Sequence, residues 1–158
     1  MTRQELIHLL DERGIQYEST EHVPVFTIEE MLEAKLPYPE NIAKNLFVRD
    51  DKKKNYYLIS VQEERKINLK EFQEQFGTRK LSFVSENDLM MILGLIKGSV
   101  TPFGLLNDDE RKVQFFIGKE FIGGKMGIHP LENTATVWIA ADDLIEIIKE
   151  HGNQVTGF

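Results

Sequence analysis

The chain has 158 residues, a length that suits one folded domain over residues 1–158 with a sizeable core. It contains no cysteine, which excludes disulfides, thiolate metal sites and a cysteine nucleophile. A net charge of −7, without a signal segment or an apolar run of membrane-spanning length, argues against DNA and membranes as partners and predicts a cytoplasmic protein.

The N-terminal third of the chain predicts two capped helices with a short strand between them. Thr2-Arg3-Gln4-Glu5 is a capping box, and Gly14 is suited to ending the helix that it opens. Residues 15–19 are strand-prone. A second capping box at residues 27–30 predicts a helix that continues to about Ala34.

The middle of the chain predicts a hairpin, two further helices and a strand. Residues 45–49 and 56–61 are strand-prone runs on either side of the polar turn 50–55. Asn68 caps a helix that ends at Gly77, and Ser85 caps the next helix. Residues 80–84, between these helices, predict another strand.

The C-terminal part predicts more strands and a final helix. The strand-prone runs are residues 113–117, 121–124 and 134–139. Asp142 and Asp143 favour a helix start, which Gly152 ends. Because helices and strands are interspersed without βαβ alternation, we predict an α+β fold with a mixed, barrel-like sheet surrounded by helices.

Lys44-Asn45-Leu46-Phe47 places a lysine and an amide where an apolar strand begins. A lysine at a pocket rim could hold a phosphate or polarise a carbonyl. A surface lysine at a strand end explains the same residues equally well.

Residues 98–104, Gly-Ser-Val-Thr-Pro-Phe-Gly, form a connector in which Gly98 permits close approach of a ligand to the backbone. Its exposed amides could hold an anion or a developing oxyanion. The segment lacks the ending of a phosphate-binding Walker loop, and a tight structural connector is an equal interpretation.

His129 lies between Gly127-Ile128 and Pro130, in a loop that leads into a predicted core strand. It could donate a hydrogen bond or act as a base near neutral pH, or simply bind the backbone. His22, before Val23-Pro24, could line a pocket. The histidines lack metal-ligand spacing, so we expect neither a metal nor a cofactor.

Taken together and in this order, the three segments resemble the YbaK/prolyl-tRNA-synthetase-associated editing domains over nearly the whole chain, the 21–27 stretch included. Within that family the chain is similar to free-standing alanyl-tRNA(Pro) deacylases. The resemblance implies hydrolysis of the ester that joins a misloaded amino acid to the 3′ end of tRNA. Lys97 departs from it, because many relatives have proline there, and this leaves the shape of the following loop open.

The resemblance also implies roles for individual residues. Lys44 would lie near the tRNA end, Gly98 and Pro102 would cradle that end, and His129 would be the pocket histidine. Amides around Gly98 and Ser99 would stabilise the oxyanion without a covalent nucleophile. The remaining candidates for binding substrate are His22, Phe26, Asn45, Phe47 and Thr101.

Expected partners and substrates follow from the same resemblance. The expected partner is the acceptor end of a mischarged tRNA, with prolyl-tRNA synthetase or an elongation factor as further candidates. The amino acid removed could be alanine, or instead cysteine or serine. The chain could also be a non-catalytic sensor of aminoacyl-tRNA or a small amino acid, of the PrdX type, or a structural partner of the synthetase.

Overall fold

The computed structural model describes residues 1–24 and 27–158, with the backbone alone described at residues 28, 31 and 32. The helices are α1 (Arg3–Glu12), α2 (Ile28–Glu33), α3 (Leu69–Phe76), α4 (Glu86–Leu93) and α5 (Ala141–His151). The strands are β1 (Tyr17–Glu21), β2 (Ala43–Asp50), β3 (Tyr56–Gln62), β4 (Leu81–Phe83), β5 (Val113–Ile117), β6 (Lys125–Ile128), β7 (Ala135–Ala140) and β8 (Val155–Gly157). Short 3-10 helices span Pro39–Asn41, Pro102–Asn107 and Lys119–Phe121.

The described strands form two sheets. One sheet has the order β1-β7-β6 and is antiparallel. The other has the order β4-β2-β3-β5-β8, with β2 antiparallel to β3 and β4, while β3, β5 and β8 run parallel. The predicted α+β fold with mixed strands and surrounding helices is confirmed, although these strands form two sheets and not one closed barrel.

The two sheets meet along a seam between β2 and β6. A parallel bridge joins Ile42 to Gly127, and the side-chain amide of Asn41 donates to the carbonyl of Lys125 at 3.0 Å. Beyond this bridge β2 pairs with β4, from Val48 onward. The edge of β2 between the bridge and β4 therefore has no strand partner among the described residues, which leaves a gap between β2 and β6.

Local capping explains why the helices begin and end where the sequence predicts. Thr2 and Glu5 form both bonds of the capping box of α1, and Asn68 accepts two amide bonds at the start of α3. Gly77 and Gly94 end α3 and α4 with left-handed φ angles of 66° and 67°, which glycine adopts without steric cost.

Burial positions the elements around two apolar layers. The larger core cluster lies between α1, α4, α5 and both sheets, and it contains Leu10, Leu93 and Ile148. A second cluster on the opposite face of the five-stranded sheet includes Val48 and is covered by Phe72 of α3. Because that sheet is covered on both faces, β3 is buried at every position except Gln62.

Two elements differ from the sequence prediction. The predicted strand at 121–124 is wrong, since Lys119–Phe121 forms a 3-10 helix, Gly123 has a φ of 84°, and β6 starts at Lys125. Strand β8 was not predicted, because its three residues carry a weak β signal and pair with β5 only through tertiary contact. Within residues 1–24 and 27–158, no helix is both long and apolar enough to cross a membrane.

Gly127 allows a close contact between neighbouring strands. A Cβ atom at this position would lie 2.8 Å from the indole nitrogen of Trp138, its partner in β7, and 3.2 Å from the ring carbons. Trp138 is 2% exposed and packs with Leu36 and Ile42. The indole therefore lies across the glycine, at the seam between the sheets.

We predict that Gly127→Ala lowers the free energy of unfolding by about 1–3 kcal/mol, because the added methyl group must displace the buried indole. Gly124→Ala is the matched control, since a Cβ atom there meets only the carbonyl oxygen of Phe121, at 3.7 Å. Urea denaturation of both variants measures the difference. Equal stability of the two variants would contradict the proposed close packing.

Candidate active site

Lys44 and Asn45 are consecutive in β2, so their side chains leave opposite faces of the strand. Asn45 lies on the same face as Ala43 and Phe47, which both belong to the larger core cluster. Lys44 is half-buried and lies on the other face. The side chains of these two neighbouring residues therefore lie on opposite sides of the sheet.

The face of the three-stranded sheet directed away from the larger core, here called the outer face, carries Gly127, Thr136 and Trp138. Their strand neighbours Met126, Ile128 and Val137 belong to that core, so alternation places these three residues on the opposite side. The outer face is where polar and glycine residues of β6 and β7 are found together.

Lys44 and His129 both lie just beyond the seam bridge. Ile42 is bridged to Gly127 in parallel, and Lys44 and His129 each follow their bridged residue by two positions. A step of two residues keeps the same side of a strand, so Lys44 leaves β2 on the side of Ile42, which packs against Trp138 of the outer face. His129 is 9% exposed, and its ring centroid lies 6.1 Å from that of His22.

The 98–102 loop is held in the gap of the seam from both sides. The side-chain amide of Asn45 donates to the carbonyl of Val100 at 3.2 Å, and the hydroxyl of Ser60 donates to Asn45 Oδ1. The hydroxyl of Thr101 donates to the carbonyl of His129 at 2.6 Å. The loop thereby connects the strand that carries Lys44 to the segment that carries His129.

A hydrogen bond defines the tautomer of His129, and burial favours its neutral form. Nδ1 lies 2.9 Å from the carbonyl oxygen of Ala135, which can only accept, so Nδ1 carries the proton. Burial lowers the pKa of His129; the bond to Ala135 opposes this change, and nearby His22 adds to it. The neutral ring keeps a lone pair on Nε2, for which the described part of the chain supplies no hydrogen-bond donor.

His22 is fixed on the outer face beside His129. Its Nδ1 donates to the carbonyl of Val23 at 2.8 Å, which leaves Nε2 to accept from the hydroxyl of Thr136, also at 2.8 Å. Its backbone amide donates to the carbonyl of Thr134. These three bonds fix His22, directly after β1, on the outer face.

The amides around Gly98 are not equally available. The Ser99 amide donates to the carbonyl of Ile96 at 3.1 Å, and Ser99 is 2% exposed. An oxyanion role for this amide would require that turn to open. Gly98 has a φ of 89° and is half-buried. Its own amide is therefore the remaining candidate donor to the oxyanion.

A negative group lies near Lys44. Burial raises the pKa of the Glu63 carboxyl, while the charge of Lys44 lowers it in part. Glu63 lies just beyond the end of β3, so the Lys44 ammonium has a carboxylate in its vicinity.

Not all of the predicted substrate-binding residues reach the outer face. Phe47 is 5% exposed in the larger core, where its ring lies 6.0 Å from that of Tyr56. Pro102 is buried and begins a 3-10 helix, so it supports the loop from within. Phe26 lies outside the described residues, so its predicted role stays a prediction.

Several residues of the site were missed by sequence reasoning. Thr136 and Ser60 have the pattern of ordinary strand residues, yet they orient His22 and Asn45. Trp138 has a buried indole N–H without an acceptor among the described residues. The signal available in the sequence was weak, because only the threonine alternation of 134–136 distinguishes this strand from a core strand.

Comparison with known proteins agrees with this architecture. Residues 22–147 match the aminoacyl-tRNA editing domain family. The chain is 43% identical over 152 residues to "Prolyl-tRNA editing protein ProX" of Acetoanaerobium sticklandii, covering 96% of this chain and 93% of that protein. It is 36% identical over 160 residues to "Prolyl-tRNA synthetase associated domain-containing protein 1" of Mus musculus, covering 96% and 92%.

A solved structure also shares the fold. A candidate trans-editing enzyme for prolyl-tRNA synthetase superposes with a TM-score of 0.71 at 18% identity, over 99% of this chain and 96% of the other. The chain belongs to the aminoacyl-tRNA editing domain family. The enzyme class predicted from the sequence, an aminoacyl-tRNA deacylase, is confirmed.

The lowered pKa of His129 predicts a pH dependence of stability. Above the unfolded pKa of about 6.5, both states are neutral at this ring. As pH falls below that value, the unfolded chain binds the proton first, so stability is lost towards the folded pKa, by at most about 1.4 kcal/mol per pH unit.

His129→Gln should therefore lose less stability than the wild type between pH 7.5 and pH 5, as measured by urea denaturation at both values. His8→Gln is the control, because His8 is exposed on α1. Equal losses in the wild type and in His129→Gln would show that His129 is not held neutral.

Proposed function

We propose that this protein hydrolyses the aminoacyl ester of mischarged tRNA(Pro), and that alanine is the amino acid released. Relatives covering nearly the whole chain are named for prolyl-tRNA editing and for association with prolyl-tRNA synthetase. The observation that carries the proposal is the placement of Lys44 and neutral His129 just beyond the seam bridge, beside a loop anchored by Asn45 and Thr101.

An aminoacyl ester is already reactive, so the chemistry requires a positioned water and no protein nucleophile. The water oxygen bonds to the carbonyl carbon, the bond from that carbon to the ribose oxygen breaks, and the ribose oxygen takes up a proton. Nε2 of His129 is a lone-pair acceptor that can orient the water, the substrate ammonium or the vicinal ribose hydroxyl. Much of the rate acceleration then comes from orientation of the reacting groups.

Lys44 is the cation that we assign to the tRNA end. An ammonium group is suited to a phosphate or to the terminal ribose oxygens. Asn45 supports this assignment indirectly, because it holds the loop from the opposite face of β2. Gly98 supplies the amide that would face the developing oxyanion.

Selection of alanine over proline is proposed to rest on the size of the pocket. A synthetase separates acids that differ by one or two methylenes by only about 1–3 kcal/mol, so binding at one site alone rejects the smaller acid poorly. A second site that admits alanine and excludes the proline ring provides the missing discrimination. His22, which Thr136 holds on the outer face by a hydrogen bond, would line this second site.

Deacylation of purified Ala-tRNA(Pro), Cys-tRNA(Pro), Ser-tRNA(Pro) and Pro-tRNA(Pro) tests the function and its specificity. We expect the alanine ester to be cleaved fastest and the proline ester to remain intact. Faster cleavage of the cysteine or serine ester would change the assigned amino acid. Binding of these tRNAs without hydrolysis would identify a sensor and not an enzyme.

Lys44→Ala should lower kcat/KM by about 10-fold to 100-fold, the cost of losing one charge-assisted contact of about 1.5–3 kcal/mol. Lys149→Ala is the matched control, because Lys149 is exposed on α5. Single-turnover deacylation of Ala-tRNA(Pro) measures both variants. Full activity of Lys44→Ala would remove this residue from the site while leaving the function intact.

We also propose prolyl-tRNA synthetase or an elongation factor as a helper in tRNA capture. The net charge of −7 supports this, since few phosphate contacts are available to such a chain. Adding either protein in a pull-down with the tRNA present would reveal the association.

A further inference from the structure

A cavity lies beside the 98–102 loop. Its volume is about 530 Å³, and it opens between β4, the start of α4 and the loop. Asn45 and Val100 line it, and these are the two residues whose hydrogen bond holds the loop in the seam. The cavity therefore adjoins the loop of the site assigned above, although neither Lys44 nor His129 lines it.

The rim of this cavity combines an aromatic ring with a cation. Phe83 ends β4, and it is 62% exposed although it is a large apolar side chain. Lys97, directly before Gly98, is exposed and lines the same cavity. Glu86 supplies a hydrogen-bond acceptor, and Val84 and Leu89 supply apolar side chains.

We propose that this cavity binds a nucleotide of the single-stranded 3′ end of the tRNA, upstream of the aminoacylated adenosine. A base would stack on Phe83, its exocyclic amino group would donate to Glu86, and Lys97 would contact the adjoining phosphate. This inference rests on the proposed function, because it takes the aminoacyl ester to lie on the His129 side of the loop.

Three features favour a nucleotide over a purely apolar occupant. An exposed aromatic ring with an adjacent lysine is the combination that binds single-stranded nucleic acid without sequence readout. The volume suits a small-molecule-sized group and not a helix or strand of a partner protein. The cavity is also lined by Asn45 and Val100, which puts it next to the loop that adjoins the proposed ester site.

The test is binding of a fluorescent acceptor-stem microhelix of tRNA(Pro), either with its single-stranded 3′ end or made blunt. Neither RNA is aminoacylated, so the readout does not depend on hydrolysis and separates this inference from the proposed function. The wild type should prefer the RNA with the single-stranded end. Phe83→Ala should weaken binding of that RNA by about fivefold or more and leave the blunt RNA unchanged.

Three further variants complete the test. Phe83→Trp preserves a stacking surface and should restore the preference, whereas Met91→Ala is the matched control, because Met91 is 82% exposed on α4 and does not line the cavity. Lys97→Gln should reduce the salt dependence of binding by about one phosphate contact. The proposal is overturned if Phe83→Ala binds both RNAs like the wild type, or weakens both equally.

Discussion

The 98–102 loop is the constraint on which the site depends, because it fills the gap where β2 and β6 separate. Asn45 holds it from the inner face of one strand, and Thr101 attaches it to the backbone of His129. Each bond contributes only about 0.5–1.5 kcal/mol, and together they tie the loop to both β2 and the His129 segment.

The charge of the site is set by burial more than by ion pairs. His129 is kept neutral by its surroundings and by a backbone carbonyl that fixes its proton on Nδ1. Lys44 keeps a carboxylate neighbour in Glu63. A neutral acceptor beside a cation suits a substrate that brings both an ammonium group and phosphates, since the two protein groups attract different parts of it.

The sequence predicted the local structure well where capping or alternation is strong. The capping box at Thr2, the bond from the Glu30 amide to the Thr27 hydroxyl and the hairpin of β2 and β3 needed only short-range information. The seam could not be predicted, because Ile42 and Gly127 are far apart in the chain and β6 contains a glycine that lowers its strand signal. Long-range packing also explains why Phe47 does not reach the outer face. Alternation along β2 is evident from the sequence, whereas the face of β2 that meets the core is not.

Candidate residues could be found from the sequence, whereas the role of each residue could not. Asn45 was grouped with Lys44 because they are adjacent, yet the structure uses it to anchor Val100. Ser99 was chosen for an available amide, and that amide is bonded to Ile96. Both differences arise from contacts with segments distant in the chain or from turns, which residue patterns do not contain.

The seam has a consequence for how activity relates to folding. Lys44 belongs to one sheet and His129 follows a strand of the other, and Ile42–Gly127 is the one backbone bridge that joins the sheets among the described residues. Opening along this line would separate the two groups and would also expose the larger core cluster, which both sheets share. Loss of activity should therefore accompany disruption of that core, so that the catalytic assay reports the packing of the two sheets against each other.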